Sequence, residues 1–259
     1  SLKAEAHARQ QIEERLRGLV DEMYVARLND MQLLALLAHQ LKLNASATLG
    51  FAQILNDEVT SSRDKESIDA LRQLGERLFM MAENIDLWGR RDELMMGANI
   101  HPQPLKTFIE RSMESLSLMA ERKRIRVQKS LEENLIVNVD TLIFEVALKN
   151  ILANAIKFSP QEGEVAISAR KIAEGTELSI IDNGQGISRV VMEKLFEPSS
   201  DKLHRGTAGE EGLGLGLLIV RWACKMQKAQ LRVTSDEGQG CRVSFIFPAV
   251  SADAMSRIK

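Results

Sequence analysis

Asn150-Ile-Leu-Ala-Asn-Ala-Ile-Lys-Phe-Ser159 is the stretch from which the rest of the chain can be read. Ile151, Leu152, Ala155 and Phe158 recur at helical spacing and can face a core, so the stretch reads as an amphipathic helix. Asn150 and Asn154 are four residues apart and share one face. An amide oxygen is a good ligand for a hard cation, and an amide nitrogen can donate to phosphate. Lys157 follows as a mobile cation, and the helix stops at Ser159-Pro160, where the proline discourages continuation. On its own, such a pair of asparagines belongs to an ordinary surface helix.

Two glycine clusters follow at fitting distances. Asp182-Asn-Gly-Gln-Gly-Ile187 comes after a strand-like run, Leu178-Ser-Ile-Ile181. Gly212-Leu-Gly-Leu-Gly-Leu217 opens a helix-like run, Leu218 to Met226. The Asn stretch, Asp-x-Gly-x-Gly and Gly-x-Gly-x-Gly in this order are far more specific than any one of them. Over roughly residues 100 to 248 the chain resembles the ATP-binding domain of two-component sensor histidine kinases, in the GHKL superfamily shared with gyrase, Hsp90 and MutL.

The chain has 259 residues, enough for one large or two ordinary domains. Hydrophobic residues make up 44% and charged residues 27%, which is ordinary soluble composition. A net charge of -2 gives no global pull toward nucleic acid or an anionic membrane. Cys224 and Cys241 fall in helix-like and strand-like surroundings and form neither a disulfide framework nor a spaced metal site, so inert thiols are expected. No run approaches the ~20 apolar residues needed to span a bilayer. The chain enters helical pattern directly from Ser1, as expected of the cytoplasmic fragment of a longer protein, soluble or membrane-anchored, whose sensory part lies elsewhere.

Residues 2 to 56 contain no proline, and Ile12, Leu16, Leu19, Met23, Ala26, the polar Asp30, Leu33 and Leu37 step by fours and threes in a heptad seam. A polar stretch, Asn56 to Asp64, fits a hairpin turn. A second helix is expected to about Met96, with Ile68, Leu71, Leu74, Leu78, Met81, Ile85 and Trp88 along one face. Such a hairpin buries its apolar face best as a homodimer, in a four-helix bundle. Gly97 to Pro104 reads as a break, which divides the chain into a coiled-coil and dimerisation hairpin, 1-98, and an ATP-binding domain, 99-259. Beyond the break, Pro104 to Arg122 reads as helix, and Ile125-Arg-Val-Gln and Leu135 to Val139 as strands. Thr141 to Phe158 is the Asn helix, and paired strands flank Glu174-Gly175 and the Gly238 to Gly240 turn. Helices on one face of a mixed sheet make an α+β sandwich of the GHKL ATPase type.

A carboxylate at Asp182 can accept the exocyclic amino group of adenine, while Gly184 and Gly186 let the backbone turn and approach the base. The resemblance implies the same role for Asp182. Gly212, Gly214 and Gly216 leave backbone amides for phosphate, and the helix start that follows adds its dipole. The resemblance further implies that Asn154 coordinates Mg²⁺ and that Asn150 and Lys157 contact phosphate, with Phe158 closing the same helix beside ATP. Phe196 to Glu211 matches the family's lid, in which Lys202, His204 and Arg205 are within reach of phosphate. Where the family often has His-Gly-Gly after the following helix, this chain has Gln227-Lys-Ala229, which is expected to alter a turn rather than the chemistry.

Of the four histidines, His39 lies mid-helix, two positions past the seam residue Leu37. Two residues are ~200° of helical rotation, so His39 is expected to face solvent, as a phosphoacceptor must. The family's motif runs His-Glu-x-Arg-Thr-Pro; here it is His39-Gln-Leu-Lys-Leu-Asn44. Gln40 replaces the acid that serves as general base, and a neutral amide accepts no proton near pH 7. Leu43 replaces a group that positions water in the phosphatase reaction. The expectation is slow autophosphorylation on His39, doubtful phosphatase activity, and transfer to an aspartate of a response-regulator receiver domain. An ATP-binding pseudokinase that acts as a dimeric scaffold is the alternative. A gyrase- or MutL-like ATPase fits poorly, since Asn150 occupies the position of its water-activating glutamate.

Overall fold

A computed structural model describes residues 97–193, 195–196 and 216–250, with scattered positions before them (15, 37, 40–41, 43–44, 47–48, 71, 74–75, 78–85, 87 and 94). The chain divides into two compact units, Ser1–Phe79 and Met80–Lys259. In the first unit every described residue is helical. The rest of the predicted hairpin, its turn and its seam lie outside the described residues. In the second unit, residues 80–85, 87 and 94 are helical, and Leu87 and Leu94 are buried in the unit's core.

The second unit is built on a five-stranded mixed sheet. Its strands are β2 (Arg126–Leu131), β4 (Glu164–Ile172), β5 (Gly175–Asp182), β6 (Gln230–Ser235) and β7 (Cys241–Pro248), in the order β2-β4-β5-β7-β6. β2 runs parallel to β4, and the other neighbours are antiparallel. Val165, Ile167 and Ala169 alternate on the buried face of β4, as the two-residue period of a strand requires. Three helices cover that face: α1 (Leu105–Ser115), α3 (Thr141–Phe158) and α5 (Gly216–Met226). The described residues also include two short helices, α2 (Ser117–Arg122) and α4 (Arg189–Glu193).

Phe144 of α3 is the centre of the core. Its ring meets Phe108 of α1 at 5.0 Å, Phe247 at 5.3 Å and Phe245 at 5.8 Å, each edge-on. The ring quadrupole favours that arrangement over face-to-face stacking. Helix α3 is fixed at both ends. Asp140 caps its start, accepting the N–H of Ile143 on Oδ1 at 3.2 Å and that of Asn99 on Oδ2 at 2.9 Å. At its end, Lys123 Nζ donates to the carbonyl of Lys157 at 2.7 Å, placing a cation where the helix dipole is negative. Ser159 Oγ turns back onto Ala155 O at 2.7 Å before Pro160 ends the helix.

The structure departs from the sequence reading in two places. The break at Gly97 to Pro104 contains a strand, β1 (His101–Pro104), which pairs antiparallel with β3 (Ile136–Val139) in a separate two-stranded ribbon. Prolines 102 and 104 fit there because an edge strand tolerates a missing donor. The helix expected over Pro104 to Arg122 is broken at Leu116, whose N–H is shared between Ser112 O and Met113 O at 3.2 Å each. The turn at Gln227-Lys-Ala229 is also explained. Ala229 N donates to Cys224 O at 2.9 Å and Lys228 N to Lys225 O at 3.3 Å, with Lys228 at φ 55. This is a Schellman ending with lysine at the left-handed position that glycine usually fills.

Candidate functional site

The end of β5, the last two turns of α3 and the first turn of α5 come together at one edge of the sheet. Asp182 ends β5, buried between Val165 of β4 and Cys241 of β7. Its Oδ1 accepts the N–H of Gly184 at 2.9 Å. Burial raises its pKa above the ordinary aspartate value, opposed by backbone N–H bonds from Gly184 and Cys241. Gly184 lies against the Phe158 carbonyl so closely that any Cβ would collide with it. This close approach brings Asp182 beside the C-terminal turn of α3, where Asn154, Lys157 and the half-buried Phe158 lie.

The loop after Asp182 is held from its far side. Ile187 N donates to Ser235 Oγ at 2.9 Å, Ser235 Oγ donates to Gly240 O at 2.6 Å, and Gly238 N donates to Gln185 O at 2.7 Å. Gly186 has a φ of 68 within this loop. A cavity of about 360 Å³ borders it, lined in part by Ile187, Met192, Ser235 and Asp236.

Asn150 is buried, one turn before Asn154. Its Nδ2 donates to Val146 O at 2.8 Å and to Asn84 Oδ1 at 2.9 Å. Its Oδ1 faces Gly216, the last glycine of the glycine cluster and the first residue of α5. Asn154 is half-buried and makes no side-chain hydrogen bond among the described residues. Lys157 is buried, with Nζ 4.8 Å from the centre of the Phe158 ring. The Phe196 ring has the Arg221 guanidinium of α5 over it at 5.5 Å.

Asn150, Asn154, Lys157, Phe158, Asp182, Gly184, Gly186 and Gly216 are thus brought to one edge. Gly212, Gly214, His39, Lys202, His204 and Arg205 lie outside the described residues. Gln40, in the first unit, is helical and buried, while Leu41 and Leu43 are exposed. Sequence reasoning missed Asn84 and Glu83, whose partners are Asn150 and Lys149. Glu83, Asn84 and Asp86 fall together in one helical run, and nothing in the pattern singles out Asn84.

Among the described residues no group of three or more His, Cys, Asp or Glu side chains could hold a metal. The amide of Asn154, with no side-chain hydrogen bond among the described residues, suits a hard cation. Burial pushes the Cys224 and Cys241 thiols up to about 12, the carboxylate of Asp182 adding to the effect on Cys241, so both are inert. Among the described residues, no helix is long and apolar enough to cross a membrane.

Residues 139–251 match the family described as histidine kinase-, DNA gyrase B-, and HSP90-like ATPase. Over 96% of its length the chain is 28% identical to the sensor-like histidine kinase SenX3 of Mycobacterium tuberculosis, covering 62% of that protein. Over 80% of its length it is 28% identical to the autoinducer 2 sensor kinase/phosphatase LuxQ of Vibrio parahaemolyticus, covering 25% of it. The chain thus spans between a quarter and about three-fifths of these relatives. In fold it is similar to the Acinetobacter baumannii histidine kinase AdeS, with a TM-score of 0.60 at 19% identity over 82% of this chain and 98% of that one. It is also similar to full-length ShkA, with a TM-score of 0.56 at 23% identity over 86% of this chain and 47% of that one. Residues 139–251 carry an ATPase domain of the histidine kinase-, DNA gyrase B-, and HSP90-like kind, and along most of its length the chain is similar to sensor histidine kinases.

Proposed function

We propose that the chain is the cytoplasmic kinase core of a sensor histidine kinase, which autophosphorylates His39 from ATP. The observation that carries this reading is the packing of Gly184 on the Phe158 carbonyl. It puts the buried carboxylate of Asp182, suited to the amino group of adenine, beside the turn that bears Asn154 and Lys157. Asn154 would hold Mg²⁺, which offsets phosphate charge when bound. Lys157, Asn150 and the amides of the glycine cluster would hold the phosphates.

In the reaction an imidazole nitrogen of His39 attacks the γ-phosphorus. The N–P bond forms as the bond to the ADP oxygen breaks, and the ring loses its proton. With Gln40 as neighbour no side-chain base assists, so the step is slow. The phosphoryl group then passes to an aspartate of a response-regulator receiver domain. Dimerisation through the helical hairpin supplies the docking surface, and Leu43 leaves phosphatase activity weak.

The test is incubation of the chain with γ-labelled ATP and Mg²⁺, beside His39→Ala and Asn154→Ala. Acid-labile, alkali-stable label that is lost in both variants is the expected result. ATP binding without any label would instead support a pseudokinase scaffold, the reading favoured by Gln40 and Leu43.

A further inference from the structure

Helical residues 80–85 meet α3 through polar contacts on two successive residues. Glu83 Oε1 accepts from Lys149 Nζ at 3.1 Å. Asn84 Oδ1 accepts from Asn150 Nδ2 at 2.9 Å, with the return contact, Asn84 Nδ2 to Asn150 Oδ1, at 3.5 Å. Asn84 is 1% exposed and Asn150 6%, so water does not compete for these groups.

An amide nitrogen has two hydrogens. Those of Asn150 go to Asn84 and to Val146 O, so none remains for a phosphate. The Val146 bond lies within α3 and moves with it. The Asn84 bond joins a different segment and is the one that a shift of that segment releases. Leu87 and Leu94, farther along, are buried in the same core, so the segment is a packed element and not a loose end.

We propose that Glu83–Lys149 and Asn84–Asn150 form a clasp that competes with nucleotide for the amide of Asn150. Nucleotide and the segment around Asn84 then weaken each other's hold on α3, and the coupling is reciprocal by linkage. The inference rests on the reading of Asn150 as a phosphate-contacting residue. One net hydrogen bond sets the size of the effect, about twofold to tenfold in affinity.

The test uses the full chain with Mg²⁺ and ATP in a calorimetric titration. Asn84→Leu removes the amide bonds at similar volume, and Glu83→Gln removes the ion pair at a partly exposed position. Asn84→Leu is expected to melt lower without nucleotide yet bind ATP about twofold to tenfold more tightly, with Glu83→Gln shifted the same way by less. A merely structural contact would lower stability and affinity together. Unchanged or weaker binding by variants of a chain that does bind ATP overturns the clasp alone. Failure of the unmodified chain to bind ATP overturns the site reading as well. Should Asn84→Leu not fold, hydrogen exchange in the unmodified chain decides: saturating ATP is expected to speed exchange at residues 80–87, and unchanged or slower exchange overturns the proposal.

Discussion

A Cβ on Gly216 would stand 2.7 Å from Asn150 Oδ1, so the first residue of α5 presses directly on the side-chain amide of α3. That amide is the end of a side chain and can give way. The obstacle at Gly184 is the backbone carbonyl of Phe158, which cannot. Gly216→Ala is therefore expected to lower stability by about 1 kcal/mol and Gly184→Ala by about 3 kcal/mol, at the two ends of the range for overpacking. Thermal melts of the two variants check the order. Equal losses would show that Asn150 is held as rigidly as backbone.

Asp182 supplies a prediction in pH. Its folded pKa is raised, chiefly by burial, so the ionised form is disfavoured in the fold. The stability this group contributes is fully present below its unfolded pKa and is lost as pH rises through its folded one. Asp182→Asn removes that loss, so the variant should melt at least as high as the unmodified chain at pH 7. Its ATP affinity should fall about 10- to 100-fold, the worth of a hydrogen bond to a charged acceptor. Melts between pH 4 and 8 and a titration at pH 7 measure both. A variant that melts lower at pH 7 would show that the bonds from Gly184 and Cys241 outweigh the burial.

Lys228 holds a left-handed conformation that costs a side chain about 1–2 kcal/mol, whereas glycine adopts it freely at a smaller entropic cost. Lys228→Gly should raise stability by about 0.5–1 kcal/mol, or roughly 1–4 °C in Tm for a domain of this size. ATP binding should not change. A lower Tm would mean that the lysine makes a compensating contact.

Gln40 is buried beside the expected phosphoacceptor. A carboxylate there would be desolvated, which strengthens it as a base. Gln40→Glu is expected to raise the autophosphorylation rate at least tenfold, toward the ~10²–10⁴-fold that a general base supplies. Initial rates of label incorporation measure it, and a variant with no gain removes the explanation for slowness.

Helix α3 and the two hairpins of the sheet were legible because periodicity and turn residues agree over their whole lengths. Asp182 was legible because a strand pattern runs straight into Asp-x-Gly-x-Gly. β1 was not: Pro102 and Pro104 speak against a strand locally, and only the partner β3 makes them edge residues. The interruption at Leu116 leaves the apolar spacing of α1 and α2 intact and so leaves no trace in the pattern. Asn84 was illegible for another reason. Its partner Asn150 is 66 residues away, and the pair exists only once the helices pack.

The family match and the folded core have different edges in this chain. The ATPase-family match begins at residue 139, yet the ladder partner of β3 is β1, Phe108 of α1 closes one side of Phe144, and Asp140 holds the N–H of Asn99. A gene fragment cut at residue 139 would encode the Asn helix and the sheet edge at Asp182 and lack a wall of its own interior.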